Sequence, residues 1–179
     1  FPYTPLFRSV RSFASRRRDH ALDADLVKSA TQVAAKHGTS LYAFLLANFA
    51  VLLHRLSDQD DLVIGIPAAG QAATGRRDLI GHAVNILPLR CTVDGSEPFA
   101  QTLSRMRADL LDAFEHQRYT FGTLLKRLAM PRDPARLPLV NVLFNLDREL
   151  GPDQAQFPGL EFQLDTLPRS FENFELFVN

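Results

Sequence analysis

The 179-residue sequence holds one cysteine, no tryptophan and no excess of charge of either sign. With Cys91 as the only thiol, an intrachain disulfide is excluded, and a reducing compartment such as the cytoplasm is the natural setting. Lys plus Arg and Asp plus Glu both number 20. That balance argues against nucleic acid or an anionic membrane as partner, because both select a basic excess. The one local imbalance is Arg8, Arg11, Arg16, Arg17 and Arg18, read as a solvated lead-in rather than a basic arm. The longest apolar run, Leu41 to Leu53, is broken by Asn48 and followed by His54 and Arg55, too short to span a bilayer. The first residues also lack the basic stretch, apolar run and small-residue cleavage site of a secretory signal.

Catalytic sets are missing as well. The histidines are His20, His37, His54, His82 and His116, with no adjacent pair and no two at the one-turn spacing of a helical metal site. There is no Gly-x-Ser-x-Gly elbow, and no glycine pattern for cradling phosphate. His54 and Asp58 have His-x-x-x-Asp spacing, but they fall where a helix gives way to a loop, so His54 reads as a helix-end histidine near the last carbonyls. Cys91 lies in the apolar run Ile86-Leu87-Pro88-Leu89-Arg90-Cys91 and reads as a small core residue, not a nucleophile.

What is present is core. Hydrophobic residues make up 46% of the chain and charged residues 22%, enough for a packed interior under a polar surface. Asp19 to Leu22 is expected as a short edge strand. Asp23 then caps a helix carrying Leu26, Ala30, Val33 and Ala34 on one face, with Gly38 as its left-handed stop. Ser40 caps a second helix, to about Leu56, apolar on most of its circumference. Asp61 to Ala68 and Ala83 to Thr92 read as buried strands, with a Gly/Ala/Arg-rich loop, Ala69 to Asp78, between them. Ser96 and Pro98 open a long amphipathic helix with the stripe Leu103, Met106, Leu110, Leu111 and Phe114. A shorter helix follows at Phe121 to Leu128. After a proline-punctuated loop, Pro131 to Pro138, further strands are expected at Val140 to Leu146, Leu160 to Leu164 and Phe171 to Val178. The mixture predicts an α/β layer fold.

Three segments carry a family resemblance. Ile80-Gly81-His82-Ala83-Val84-Asn85-Ile86-Leu87-Pro88-Leu89-Arg90 resembles the pattern Ile/Val-Gly-x-Phe-Val-Asn-Thr followed by a strand ending in Arg. His116-Gln117-Arg118-Tyr119-Thr120-Phe121-Gly122 is similar to His-Gln-Asp-x-Pro-Phe-Glu. Arg132-Asp133-Pro134-Ala135-Arg136-Leu137-Pro138-Leu139 is similar to Arg-Asp-x-Ser-Arg-x-Pro-Leu. Upstream, Tyr42 to His54 and Gly65-Ile66-Pro67-Ala68-Ala69-Gly70 resemble a helix followed by Gly-x-Pro-x-Ala-Gly. In this order they resemble the condensation domains of non-ribosomal peptide synthetases, over roughly residues 19 to 179. Arg118, Thr120 and Gly122 depart from the family's Asp, Pro and Glu, and Ala83 and Ile86 from its Phe and Thr.

The resemblance implies a chloramphenicol acetyltransferase-like lobe, a mixed β-sheet packed by helices, forming one half of a V-shaped two-lobed domain. It implies amide-bond formation between aminoacyl and peptidyl thioesters held on carrier proteins, by a His-His-x-x-x-Asp-Gly motif in the other half. That motif does not occur in this sequence, so the chain is expected to be a C-terminal half, inactive alone. The expected cofactor is the phosphopantetheine arm brought by carrier proteins, none being bound directly. The expected partners are the missing N-terminal half, carrier domains and an adenylation domain. Ala69, Gly70, Gln71, Asn85 and Asn145 are candidates for the substrate tunnel and its loop, although either Asn amide would serve equally to tie strand to loop. Gly81, Arg90, Gln117, Phe121, Arg132, Asp133 and Pro138 are expected to be structural. A non-catalytic carrier-docking module and a coenzyme A-dependent acyltransferase fragment are the alternatives. Residues 1–9 resemble a translated sequencing adapter and are expected to be an artefact. Residues 10–18 are an expected disordered lead-in, and the chain stops inside its last apolar segment, so truncation at both ends is expected.

Overall fold

The computed structural model describes residues 12–71, 75, 80–130, 137–147, 160 and 170–179. Helix α1 (Ala24–Lys36) starts where expected: the Asp23 carboxylate accepts the backbone N–H groups of Asp25 and Leu26. It stops at Gly38, whose φ of +63° costs glycine nothing. Helix α2 (Leu41–Ser57) is capped by Ser40 Oγ, which accepts from Ala43 N at 3.1 Å. Asp58 closes it in the left-handed conformation. Strands β1 (Asp61–Ala69) and β2 (Val84–Thr92) pair antiparallel along their whole length.

Helix α3 (Phe99–Glu115) differs at its start. Its N-cap is Pro98, with no side-chain cap, because Ser96 is turned to Asp94: both its N–H and its hydroxyl donate to Asp94 Oδ1. Helix α4 (Phe121–Leu128) is capped by Thr120, and among the described residues the sheet also holds short strands β3 (Val142–Phe144) and β4 (Leu176–Val178). The strand order is β2-β1-β3-β4, with β1–β3 and β3–β4 parallel. The sheet is mixed, as expected.

Register decides which face is covered. Leu62, Ile64, Ile66 and Ala68 of β1 stand opposite Cys91, Leu89, Leu87 and Asn85 of β2. This face receives Leu46, Phe49 and Ala50 of α2 and Leu103, Met106 and Leu110 of α3, forming one core. Gly65 lies on the opposite face, where a Cβ would stand 2.9 Å from Leu143 Cδ1 and closer still to Val140 Cγ1. Pro67 is tolerated in the middle of the sheet because β3 pairs with β1 only at Ile64 and Gly65, so no ladder bond is missed there.

Several expectations are corrected. Asp19 to Leu22 forms no strand; the chain instead bridges earlier, Ala14 antiparallel to Phe171, with the Phe13 and Phe171 rings stacked at 5.2 Å. Beside this bridge, Ser15 N donates to Ser170 O at 2.9 Å and Glu172 N to Phe13 O at 3.0 Å. Leu111, placed in the α3 stripe, is 54% exposed, while Leu26 and Val33 of α1 are also exposed and only Ala34 is fully buried. Leu52 and Leu56 leave one side of α2 open to solvent. The strands expected at Val140 to Leu146 and Phe171 to Val178 shrink to three residues each, and the Leu160 to Leu164 strand lies outside the described residues. Among the described residues, no single helix is long and apolar enough to cross a membrane.

Candidate functional site

Asn85 sits near the start of β2 with the same alternation as Leu87 and Leu89, so its side chain faces the helix layer. Its Nδ2 donates to the carbonyls of Gln117 at 3.0 Å and Tyr119 at 3.1 Å, and its Oδ1 accepts the N–H of Phe121 at 3.1 Å. One amide thereby holds the whole turn between α3 and α4. The turn is otherwise locally bonded: Tyr119 N donates to His116 O at 2.9 Å, and Thr123 N donates to Thr120 Oγ1 at 3.3 Å. Asn85 is therefore a tie between strand and turn.

The clamped turn forms one wall of an open groove of about 790 Å³. Gln117, Arg118, Thr120, Phe121 and Gly122 line it from the helix side, and Ala83, Val84, Asn85 and Ile86 from the strand. Gly70 closes one end, where its N–H donates to the Ala83 carbonyl at 2.5 Å. A Cβ on Gly70 would overlap that carbonyl oxygen, so glycine is what lets the two backbones meet. Gly70 and Gln71 are helical rather than loop, and Ala69 is the last residue of β1.

Four of the residues singled out in the sequence thus converge: Gly70, Asn85, Gln117 and Phe121. Asn145 does not join them. Its N–H donates to Val178 O and its Nδ2 to Asn179 Oδ1, both at 2.8 Å, so it ties β3 to β4. Gly81 precedes β2 with φ +150°, a backbone that glycine favours. Arg90 makes a two-pronged ion pair with Asp61 across the strands, at 2.8 and 2.7 Å. That hydrogen-bonded guanidinium holds the exposed Asp61 carboxyl below its ordinary range. Pro138 accepts from Val140 N at 2.7 Å, and Arg132 and Asp133 lie outside the described residues. The groove residues missed by sequence reading as a wall are Ala83, Val84, Ile86, Arg118, Thr120 and Gly122. The signal was present in their flanking of Asn85 and Gln117 within two motifs, but only the fold joins the motifs.

The histidines stay apart. His20, His37, His82 and His116 are exposed. His54 lines a second hollow of about 390 Å³, its Nδ1 lying 3.1 Å from Gln59 O and 3.2 Å from Asp60 Oδ1. It therefore serves the loop after α2, not Asp58. Among the described residues, no three His, Cys, Asp or Glu side chains are grouped to hold a metal ion. Cys91 is buried, and burial pushes its thiol up to about 12, with Asp109 and Asp61 adding to the effect.

A mixed sheet with helices packed on one face has known counterparts. The chain belongs to the condensation domain family, whose model matches residues 5–179. It is 39% identical over 139 residues to tyrocidine synthase 3 of Brevibacillus parabrevis, covering 78% of this chain and 2% of that protein. It is 40% identical over 140 residues to the phosphinothricin tripeptide synthetase PhsB of Streptomyces viridochromogenes, covering 76% of this chain and 12% of that protein. The solved condensation domain of the Monacolin K polyketide synthase MokA superposes with a TM-score of 0.71 at 25% identity, over 79% of this chain and 33% of the other. The chain therefore spans a small part of the synthetases it matches.

Proposed function

We propose that this chain is the tunnel-lining half of an amide-forming condensation domain, working with a second lobe that supplies the catalytic histidines. The observation that carries this reading is the convergence of Gly70, Asn85, Gln117 and Phe121 on one groove. Membership of the condensation family, and relatives that are peptide synthetases, support the reaction class. The amine of one carrier-bound amino acid attacks the thioester carbon of another; the C–N bond forms, the C–S bond breaks, and the carrier thiol leaves with the proton. In this lobe the contribution is placement. A walled groove that keeps two tethered reactants aligned converts an encounter into an intramolecular step, an effect that reaches ~7–11 kcal/mol in favourable cases.

The phosphopantetheine arm is the ligand this groove suits best: Ala83, Val84, Ile86 and Phe121 give an apolar lining beside the polar amides of Asn85 and Gln117. Donor and acceptor carrier domains, with an adenylation domain in the same synthetase, are the partners that follow. The test is amide formation by the full-length protein with both carriers loaded. A Cβ at Gly122 meets nothing within 4 Å, so Gly122→Trp fills the groove without disturbing the core. The rate is expected to fall at least ~10-fold, about 1.4 kcal/mol of barrier, with the melting temperature unchanged. An unchanged rate would remove the groove from the reaction path.

A further inference from the structure

We propose that the second hollow, where α2 meets the turn between β2 and α3, binds a free amino acid with an aliphatic side chain, held as its zwitterion. The hollow measures about 390 Å³. The groove opens at the start of β2 and the hollow beyond its end, ~26 Å apart along an extended strand, so its occupant is a different molecule from the reactants in the groove. The feature that points to a ligand is Thr102. It is the one buried polar residue among the described residues, at 3% exposure, and it lines the hollow. A helical threonine commonly returns its hydroxyl to the carbonyl one turn back, as Thr31 does to Val27 O at 2.8 Å. The Thr102 hydroxyl makes no such bond, and no other described group meets it. A buried hydroxyl without a partner is costly, and the space it lines is where a partner enters.

The other polar groups of the hollow carry opposite charges that do not cancel each other. Arg55, in the last turn of α2, forms no ion pair or hydrogen bond with a described residue, so its guanidinium is free to take a carboxylate. Asp94 accepts both Ser96 bonds on Oδ1, which leaves Oδ2 open. Those bonds hold its carboxyl below the ordinary range, so it is ionised. Glu97 is already paired with Arg105. His54 Nδ1 lies 3.1 Å from the Gln59 carbonyl, which can only accept; Nδ1 therefore carries the proton, and in the neutral ring Nε2 is left as an acceptor. Gly95 leaves that edge uncovered, since a Cβ there would stand 3.2 Å from Nε2. Val51, Val93 and Phe99 complete the lining with apolar surface. The hollow thus offers a cation for a carboxylate, an anion and a ring nitrogen for an ammonium, and hydrocarbon for an aliphatic side chain.

The test is photocrosslinking of the full-length protein with a leucine analogue that carries a diazirine in its side chain, followed by peptide mapping. Mapping separates this hollow from any other place in the protein that takes an amino acid. Adducts are expected on the peptides that bear Val51, Val93 or Phe99, and excess L-leucine should reduce them at least fivefold. Leucinamide lacks the carboxylate and 4-methylpentanoate lacks the ammonium, so neither should compete at the same concentration. Thr102→Val and Arg55→Gln should each lower the yield at least fivefold. The melting temperature should not fall in either, because the Thr102 hydroxyl has no protein partner and Arg55 is exposed. The proposal is overturned by an absence of adducts on these peptides, by equal competition from leucinamide or 4-methylpentanoate, or by a yield that survives both substitutions.

Discussion

Asn85 and Phe121 are joined by a hydrogen bond of 3.1 Å from the Phe121 backbone N–H to the Asn85 side-chain oxygen, across 36 positions of sequence. It anchors the first residue of α4 to β2, while the amide nitrogen of the same side chain holds two carbonyls of the preceding turn. Asn is the fitting side chain here because it offers an acceptor and two donors on one short stem.

Replacing Asn85 with Ala leaves two carbonyls and one N–H without their partner. Because the site is part-buried, water replaces only some of these bonds, and a loss of about 1–3 kcal/mol is expected in urea unfolding. Asn85→Asp keeps the acceptor but sets a carboxylate against two carbonyl oxygens. Its deficit should shrink as the pH is lowered and the acid becomes a donor. A pH-independent deficit would contradict the clamp.

Gly65→Ala drives a methyl group into Val140 and Leu143, where β3 joins β1. Overpacking of this kind costs about 1–3 kcal/mol. Gly122→Ala, whose new methyl meets nothing within 4 Å, is the control and should lie within ~0.5 kcal/mol of the wild type. Equal melting temperatures for the two variants would mean that β3 does not pack as described.

Cys91 should be inert in the native protein. With its thiol raised to about 12, almost no thiolate exists under mildly alkaline conditions, and the side chain is 2% exposed. Iodoacetamide should label it only after denaturation. Rapid native labelling would show that the face between β2 and α3 opens readily.

His116 follows α3, with Nδ1 2.9 Å from the Asp112 carbonyl, and that bond followed by the Asp112 charge raises its pKa above the ordinary 6.5. The folded-state value lies above the unfolded one. The stabilisation is therefore fully present below the unfolded value and lost as the pH rises through the folded one. An NMR titration should place the His116 midpoint above 6.5, and His116→Gln should flatten this part of the stability–pH profile. A midpoint at or below 6.5 would remove the interaction.

Much of this protein was determined locally and is legible without coordinates. Asp23, Ser40 and Gly38 mark helix ends because capping is satisfied within three or four residues. The apolar runs of β1 and β2 mark buried strands, and the three motifs mark the family, because each is a short-range pattern. The tertiary structure decided what crosses the chain. Periodicity tells which residues share a helix face, but not how far a second layer extends over it. Leu111 is left open while Leu110 beside it is buried for that reason. Asp19 to Leu22 looks like a strand but pairs with no described neighbour, whereas Ala14 finds Phe171. Asn85 and Asn145 are alike in sequence, each an Asn in an apolar strand. Only the sheet order and the position of the α3–α4 turn set one at a groove and the other in a strand tie, because their partners lie more than thirty residues away.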